Sequence, residues 1–134
     1  PLAPRALYRF NRDWSRPQPL FPLTPSGYYA GVSYSAASGT FWMSRNDAGV
    51  ALIEQWSRDG RLVSVPVRAV PPLTGLAVDD RDGTIWAMRQ LPSGNILRLE
   101  NYDRSGRRLG LYELTTSMPF LDAGGAEFAW PGRR

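Results

Sequence analysis

The sequence predicts an all-β protein, an array of four-stranded antiparallel sheets generated by an internal repeat of about 44 residues. Three observations predict it. Gly31-Val32-Ser33-Tyr34-Ser35 and Ser38-Gly39-Thr40-Phe41-Trp42-Met43-Ser44-Arg45 stand against Gly75-Leu76-Ala77-Val78-Asp79 and Asp82-Gly83-Thr84-Ile85-Trp86-Ala87-Met88-Arg89 at a constant offset of 44. Gln55-Trp56-Ser57-Arg58-Asp59-Gly60-Arg61-Leu62 then aligns with Asn101-Tyr102-Asp103-Arg104-Ser105-Gly106-Arg107-Arg108 at an offset of 46, which places two extra residues in the loop near Leu91-Pro92-Ser93-Gly94. Finally, short runs such as Thr84-Ile85-Trp86-Ala87-Met88 and Asn95-Ile96-Leu97-Arg98-Leu99 alternate or run apolar between turn residues, as strands covered on both faces do.

Each copy reads as strand, Gly-containing hairpin, strand, Pro/Gly loop, strand, Asp-Gly or Ser-Gly hairpin, strand. Residues 31–74 form the first whole copy and residues 75–118 the second. Residues 1–30 are a Pro-rich N-terminal segment that also carries the outer strands of a partial copy. There Tyr8-Arg9-Phe10-Asn11-Arg12-Asp13-Trp14-Ser15 matches Glu54 through Arg61, with Trp14 in place of the turn glycine. Residues 119–134 are a C-terminal extension or, at Glu127-Phe128-Ala129-Trp130, the first strand of a further copy. The glycines Gly39, Gly60, Gly83 and Gly106 occupy hairpin positions that call for positive φ. Trp42 and Trp86 read as core pegs between neighbouring sheets.

Composition removes whole classes of chemistry. All 16 basic residues are arginine, and there is no Lys, His or Cys. Zinc, copper and haem sites of the usual kind therefore have no ligands, thiol catalysis and disulfides are excluded, and neither a Schiff base nor a Ser-His-Asp triad can form. The net charge of +4 is spread from Arg5 to Arg134 and interleaved with 12 carboxylates, which predicts a solvated surface rather than a nucleic-acid groove. The uncharged stretch from Pro17 to Ser44 is interrupted by four prolines and does not read as a membrane-spanning helix. A first residue that is Pro rather than Met fits a chain either processed or trimmed; on the first reading, with the arginine-rich, lysine-free composition, it gives the expectation of a periplasmic or extracellular bacterial protein.

Gly75-Leu76-Ala77-Val78-Asp79-Asp80 followed by Gly83-Thr84-Ile85-Trp86-Ala87 resembles the repeat of NHL-type and gluconolactonase-like β-propellers. In these a Gly-aliphatic-x-aliphatic-Asp strand precedes a Gly-x-aliphatic-aromatic strand. Tyr102-Asp103-Arg104-Ser105-Gly106 is similar to the hairpin that closes such a blade. The resemblance covers residues 31 to 114 and implies a propeller-like array of about two whole blades with partial flanking blades. Closed propellers need about four to eight blades, so the ring is incomplete per chain. Either further copies, a partner chain or a longer polypeptide would complete it, or the pattern belongs to a compact sandwich. The lactone-hydrolase members of the group hold a divalent metal on oxygen ligands. Glu127 is the position here that stands nearest to that pattern, and Asp79 and Asp80 read as ending a strand and capping a turn.

The recurrent arginines Arg45 and Arg89 stand where the second strand of each copy enters its loop. With Asn46, Asp47, Gln90 and Asn95 they are read as a rim suited to carboxylates of a partner, against the alternative that their stems merely cover apolar surface. Phe120, Phe128 and Trp130 are read as anchors in an extended terminus, alongside Phe21, Tyr28 and Tyr29. The functional expectation is a non-catalytic accessory subunit without cofactor or metal, which docks on a larger protein assembly or self-assembles into a closed ring. A metal-dependent lactone or ester hydrolase and a carbohydrate-binding ring stand as alternatives.

Overall fold

The computed structural model describes residues 5–91 and 96–115, which contain ten strands and no helix. In chain order these are β1 (Ala6–Arg9), β2 (Gln18–Pro22), β3 (Tyr28–Ser35), β4 (Thr40–Asp47), β5 (Val50–Trp56), β6 (Leu62–Ala69), β7 (Gly75–Asp79), β8 (Thr84–Gln90), β9 (Ile96–Tyr102) and β10 (Arg108–Thr115). Sheet I is the antiparallel meander β3-β4-β5-β6, sheet II is β7-β8-β9-β10, and β1 and β2 form a separate two-stranded hairpin. Among the described residues no sheet closes on itself. The register repeats as the sequence does: Trp42 lies between Ser33 and Gln55, and Trp86 lies between Ala77 and Asn101.

The weak N-terminal match is a structural repeat too. The Asn11 amide donates to the Ser15 carbonyl and the Trp14 amide to the Asn11 carbonyl, both at 3.0 Å. The same two bonds close the turns at Ser57–Arg61 and Asp103–Arg107. Trp14 has φ 61°, in the region occupied by Gly60 at 83° and Gly106 at 93°. What differs is the neighbour. A Cβ on Gly60 would lie 2.5 Å from the Phe21 side chain, and one on Gly106 would lie 1.9 Å from the Pro66 carbonyl oxygen. Nothing among the described residues crowds Trp14, whose side chain stands 79% exposed. Glycine is thus demanded twice at the later turns, by backbone conformation and by close approach, and only once at the first.

Alternation along the strands puts opposite faces of sheet I into two cores. One face carries Trp42, Ala51, Ile53 and Val67 onto Leu76, Val78, Ile85 and Ala87 of sheet II, with Leu73 and Tyr102 at the margins. The other carries Met43 and Trp56 onto Phe21, Leu7 and Leu23 of the hairpin, where Phe21 stacks on Trp56 with centroids 5.8 Å apart. Trp42 is fully buried, as expected of a peg. Trp86, its equivalent, is half-buried and lies 5.7 Å from the Tyr112 ring.

Polar clamps fix the junction between the sheets. Asn46 donates to the Leu73 carbonyl at 2.7 Å and accepts from the Leu73 amide at 2.8 Å. Asp80 accepts from Ser35 Oγ at 2.5 Å, the Ala37 amide at 3.1 Å and the Arg104 guanidinium at 3.1 Å. Arg104 in turn donates to the Gly83 carbonyl and lies 5.0 Å from the Trp42 ring centroid. These bonds tie sheet I to sheet II at both ends of the junction, and burial makes the Asn46–Leu73 pair costly to lose.

The turn that carries Gly106 has an acid-sensitive part. Asp103 accepts from Ser105 Oγ at 2.6 Å and from Arg107 Nε at 3.2 Å. The Ser105 bond first, then the bonds from Arg107, hold its carboxyl at about 2 against an ordinary 3.8. A carboxylate whose folded pKa is depressed contributes stability that is present above the unfolded pKa and lost as pH falls through the folded one. Asp103→Asn is therefore expected to flatten the loss of stability between about pH 4 and pH 2, checked by the urea midpoint as a function of pH.

Candidate interaction surface

Arg45 on β4 faces Leu52 and Arg89 on β8 faces Arg98, so the side chains two residues further along the neighbouring strand, Glu54 and Glu100, share their face. Arg45 Nε donates to Glu54 Oε1 at 2.8 Å, and Glu54 Oε2 accepts from Tyr29 OH at 3.1 Å and from Trp56 Nε1 at 3.0 Å. In sheet II, Arg89 donates to both carboxylate oxygens of Glu100 at 3.3 and 3.4 Å, and Tyr102 OH donates to Oε2 at 2.5 Å. The cell is the same in both sheets: an arginine, a glutamate two positions before an aromatic, and a ring donor closing the remaining lone pair.

Burial pushes the Tyr29 and Tyr102 phenols up, with the adjacent Glu54 and Glu100 charges adding to it, so both keep their protons and remain donors. Burial works against the charge of Arg45, but its bonds to Glu54 outweigh it and raise its pKa. Arg45 also holds Asp47 at 2.7 Å and Ser26 Oγ at 3.0 Å. These cells fasten second strand to third strand.

Arg45, Asn46 and Arg89 thus spend their polar groups inside the chain rather than on a rim. Arg89 borders a cleft of about 670 Å³ together with Arg68, Arg98, Arg108 and Pro72, in which Arg98 is paired with Glu113 at 2.6 Å. Gln90 ends β8, opposite Leu97. Phe120, Phe128, Trp130, Asn95 and Glu127 lie outside the described residues. Asp79 ends β7 and accepts from the Arg81 amide at 2.9 Å, as a turn-capping carboxylate does. Among the described residues no three His, Cys, Asp or Glu side chains gather as a metal site would require.

Two apolar surfaces missed by sequence reasoning are exposed in part. On the face of sheet II turned away from sheet I, Tyr112 and Leu114 are exposed and Trp86, Leu97 and Leu99 are half-buried, while Met88 between them is buried. This face is the repeat equivalent of the sheet I face that sheet II covers. The second is a groove of about 700 Å³ between hairpin β1–β2 and sheet I, lined by Leu7, Tyr8, Val32, Tyr34, Phe41 and Arg58 among others. The signal for both was the repeat itself, followed one unit beyond each end of the pair of whole copies. The chain matches no protein-family model and no curated protein sequence, so these two open surfaces are what speak to its function.

Proposed function

We propose that this chain is a non-catalytic interaction subunit, a propeller-type segment of the NHL or gluconolactonase-like kind that docks on a larger protein assembly outside the bacterial cytoplasm. The observation that carries the reading is the unequal cover of equivalent faces. Trp42 and its surroundings are sealed by the following sheet, whereas on the equivalent face of sheet II Tyr112 and Leu114 are more than half exposed and Trp86 is only half-buried. Open apolar sheet faces of this kind mark contact surfaces. The buried arginine–glutamate cells support the same reading, because their ion pairs join second strand to third strand within each sheet. The Arg68 and Arg108 side of the second cleft offers guanidinium groups to acidic residues of a partner.

The test is the native mass of the protein isolated from its source, with co-purifying chains identified. The expected result is a stable complex that contains other polypeptides. A monodisperse, soluble monomer would overturn the subunit reading. A small ring of this chain alone would point to a self-completed propeller and make its channel the place to assay calcium-dependent lactone or ester hydrolysis and glycan binding.

A further inference from the structure

We propose that the groove in front of β1 and β3 is the seat of a two-stranded β-hairpin donated by a partner protein, which completes a four-stranded sheet with β1–β2. The inference rests on the subunit reading above and names its contact. By the repeat, β1 corresponds to β5 and β9, the third strand of each sheet. Both of those are hydrogen-bonded on two sides, β5 between β4 and β6, and β9 between β8 and β10. Among the described residues β1 pairs with β2 alone. Ala6 and Tyr8 stand opposite Pro22 and Pro19, which have no N–H to give, so the Ala6 and Tyr8 backbone groups look toward the open edge. The outer edge of β2 is blunted by those prolines, and the inner edge of β1 is not.

Exposure at equivalent positions says what is missing. Leu76 and Val78 are 1% and 8% exposed, because β3 and β4 lie in front of them. Their equivalents in sheet I, Val32 and Tyr34, are 52% and 46% exposed. A hairpin like β3–β4 would bury them, with its second strand paired to β1 and its first strand laid beside β3 as β3 lies beside β7. The turns add the chemistry of the occupant. Arg104 projects from its turn onto the Trp42 ring of the preceding sheet, and Arg58, the equivalent residue one unit earlier, projects into the groove. The hairpin therefore carries an aromatic residue at the Trp42 position, under the Arg58 guanidinium. A second copy of this chain stacked in front of β1–β2 fits less well. Its approach would follow that of Pro66 to Gly106, and at the equivalent turn Trp14, with a side chain, stands where such an approach calls for glycine.

The test uses the full chain and, as probe, a synthetic peptide of its own β3–β4 hairpin, residues 28–47. Hydrogen exchange at the Ala6 and Tyr8 amides is expected to slow at least about ten-fold on adding peptide, as an edge strand gains a partner. Val32→Asp should weaken peptide binding by at least about ten-fold, because it buries a charge in the new junction. Arg58→Ala, on an exposed turn, should weaken it by about two- to five-fold, and a peptide with Trp42 replaced by Ala should lose that sensitivity. Three results would overturn the proposal: β1 exchange unchanged by peptide in a folded chain, β1 amides already protected in the peptide-free monomer, or protection that grows with protein concentration alone. A native complex without β1 protection would remove only this inference, whereas a native monomer that still takes the peptide would remove only the subunit reading.

Discussion

Gly106→Ala is expected to lower stability by about 3–4 kcal/mol. Two penalties act together. The backbone at φ 93° is one that L side chains rarely adopt, which costs about 1–2 kcal/mol. The added carbon would also lie 1.9 Å from the Pro66 carbonyl oxygen and 2.6 Å from its carbon. Backbone cannot swing aside as a flexible side chain does, so relief requires β6 and the β9–β10 turn to separate. Gly83→Ala is the matched comparison, with φ 75° and open space around it, and should cost only about 1 kcal/mol. Urea unfolding of the two variants reads the difference. Equal losses would mean that the sheets do not press together at this turn.

Glu54→Ala is expected to cost about 3–5 kcal/mol, because it removes the acceptor of Arg45 Nε, Tyr29 and Trp56 at once and leaves Arg45 with Asp47 and Ser26 alone. A buried carboxylate does not stabilise by charge attraction alone, since desolvation of both partners offsets most of that gain. The greater part of the loss is the unpaired remainder. The double replacement Arg45→Met with Glu54→Leu should therefore recover the part of the loss that belongs to Arg45, about 1–2 kcal/mol, while Tyr29 and Trp56 stay without their acceptor. Chemical denaturation of single and double variants checks this. A double variant as unstable as Glu54→Ala would show that the cell contributes net energy beyond satisfying itself.

The paired sheets were legible in the sequence because their strands alternate and their turns are punctuated by glycine, both local signals. The β1–β2 hairpin was legible only faintly. Its marker glycine is replaced by Trp14, and nothing in the sequence says that the space beside that turn is empty enough to hold an indole. Arg45 and Arg89 were recognised as equivalent, but their partners were not, since Glu54 and Glu100 sit on the next strand and meet them only through register. Extending the match at Gln55-Trp56 and Asn101-Tyr102 by one residue would have exposed the shared Glu-x-aromatic pattern. The groove had the repeat as its signal and no residue pattern beside it, because it follows from strands that are not in front of Val32 as β3 and β4 are in front of Leu76.

Because among the described residues each unit packs only on its immediate neighbours, the stack is thermodynamically one-dimensional, and its stability is close to a sum of unit terms and junction terms. Among those residues sheet I has a junction on each side, whereas the β1–β2 hairpin has one, built on Phe21 against Trp56 and Phe41. Loss of structure on warming enters from the hairpin end and moves inward, and the core around Ile53 and Ile85 gives way last. The segment that would receive a partner is thus also the one whose folding free energy that partner would change most.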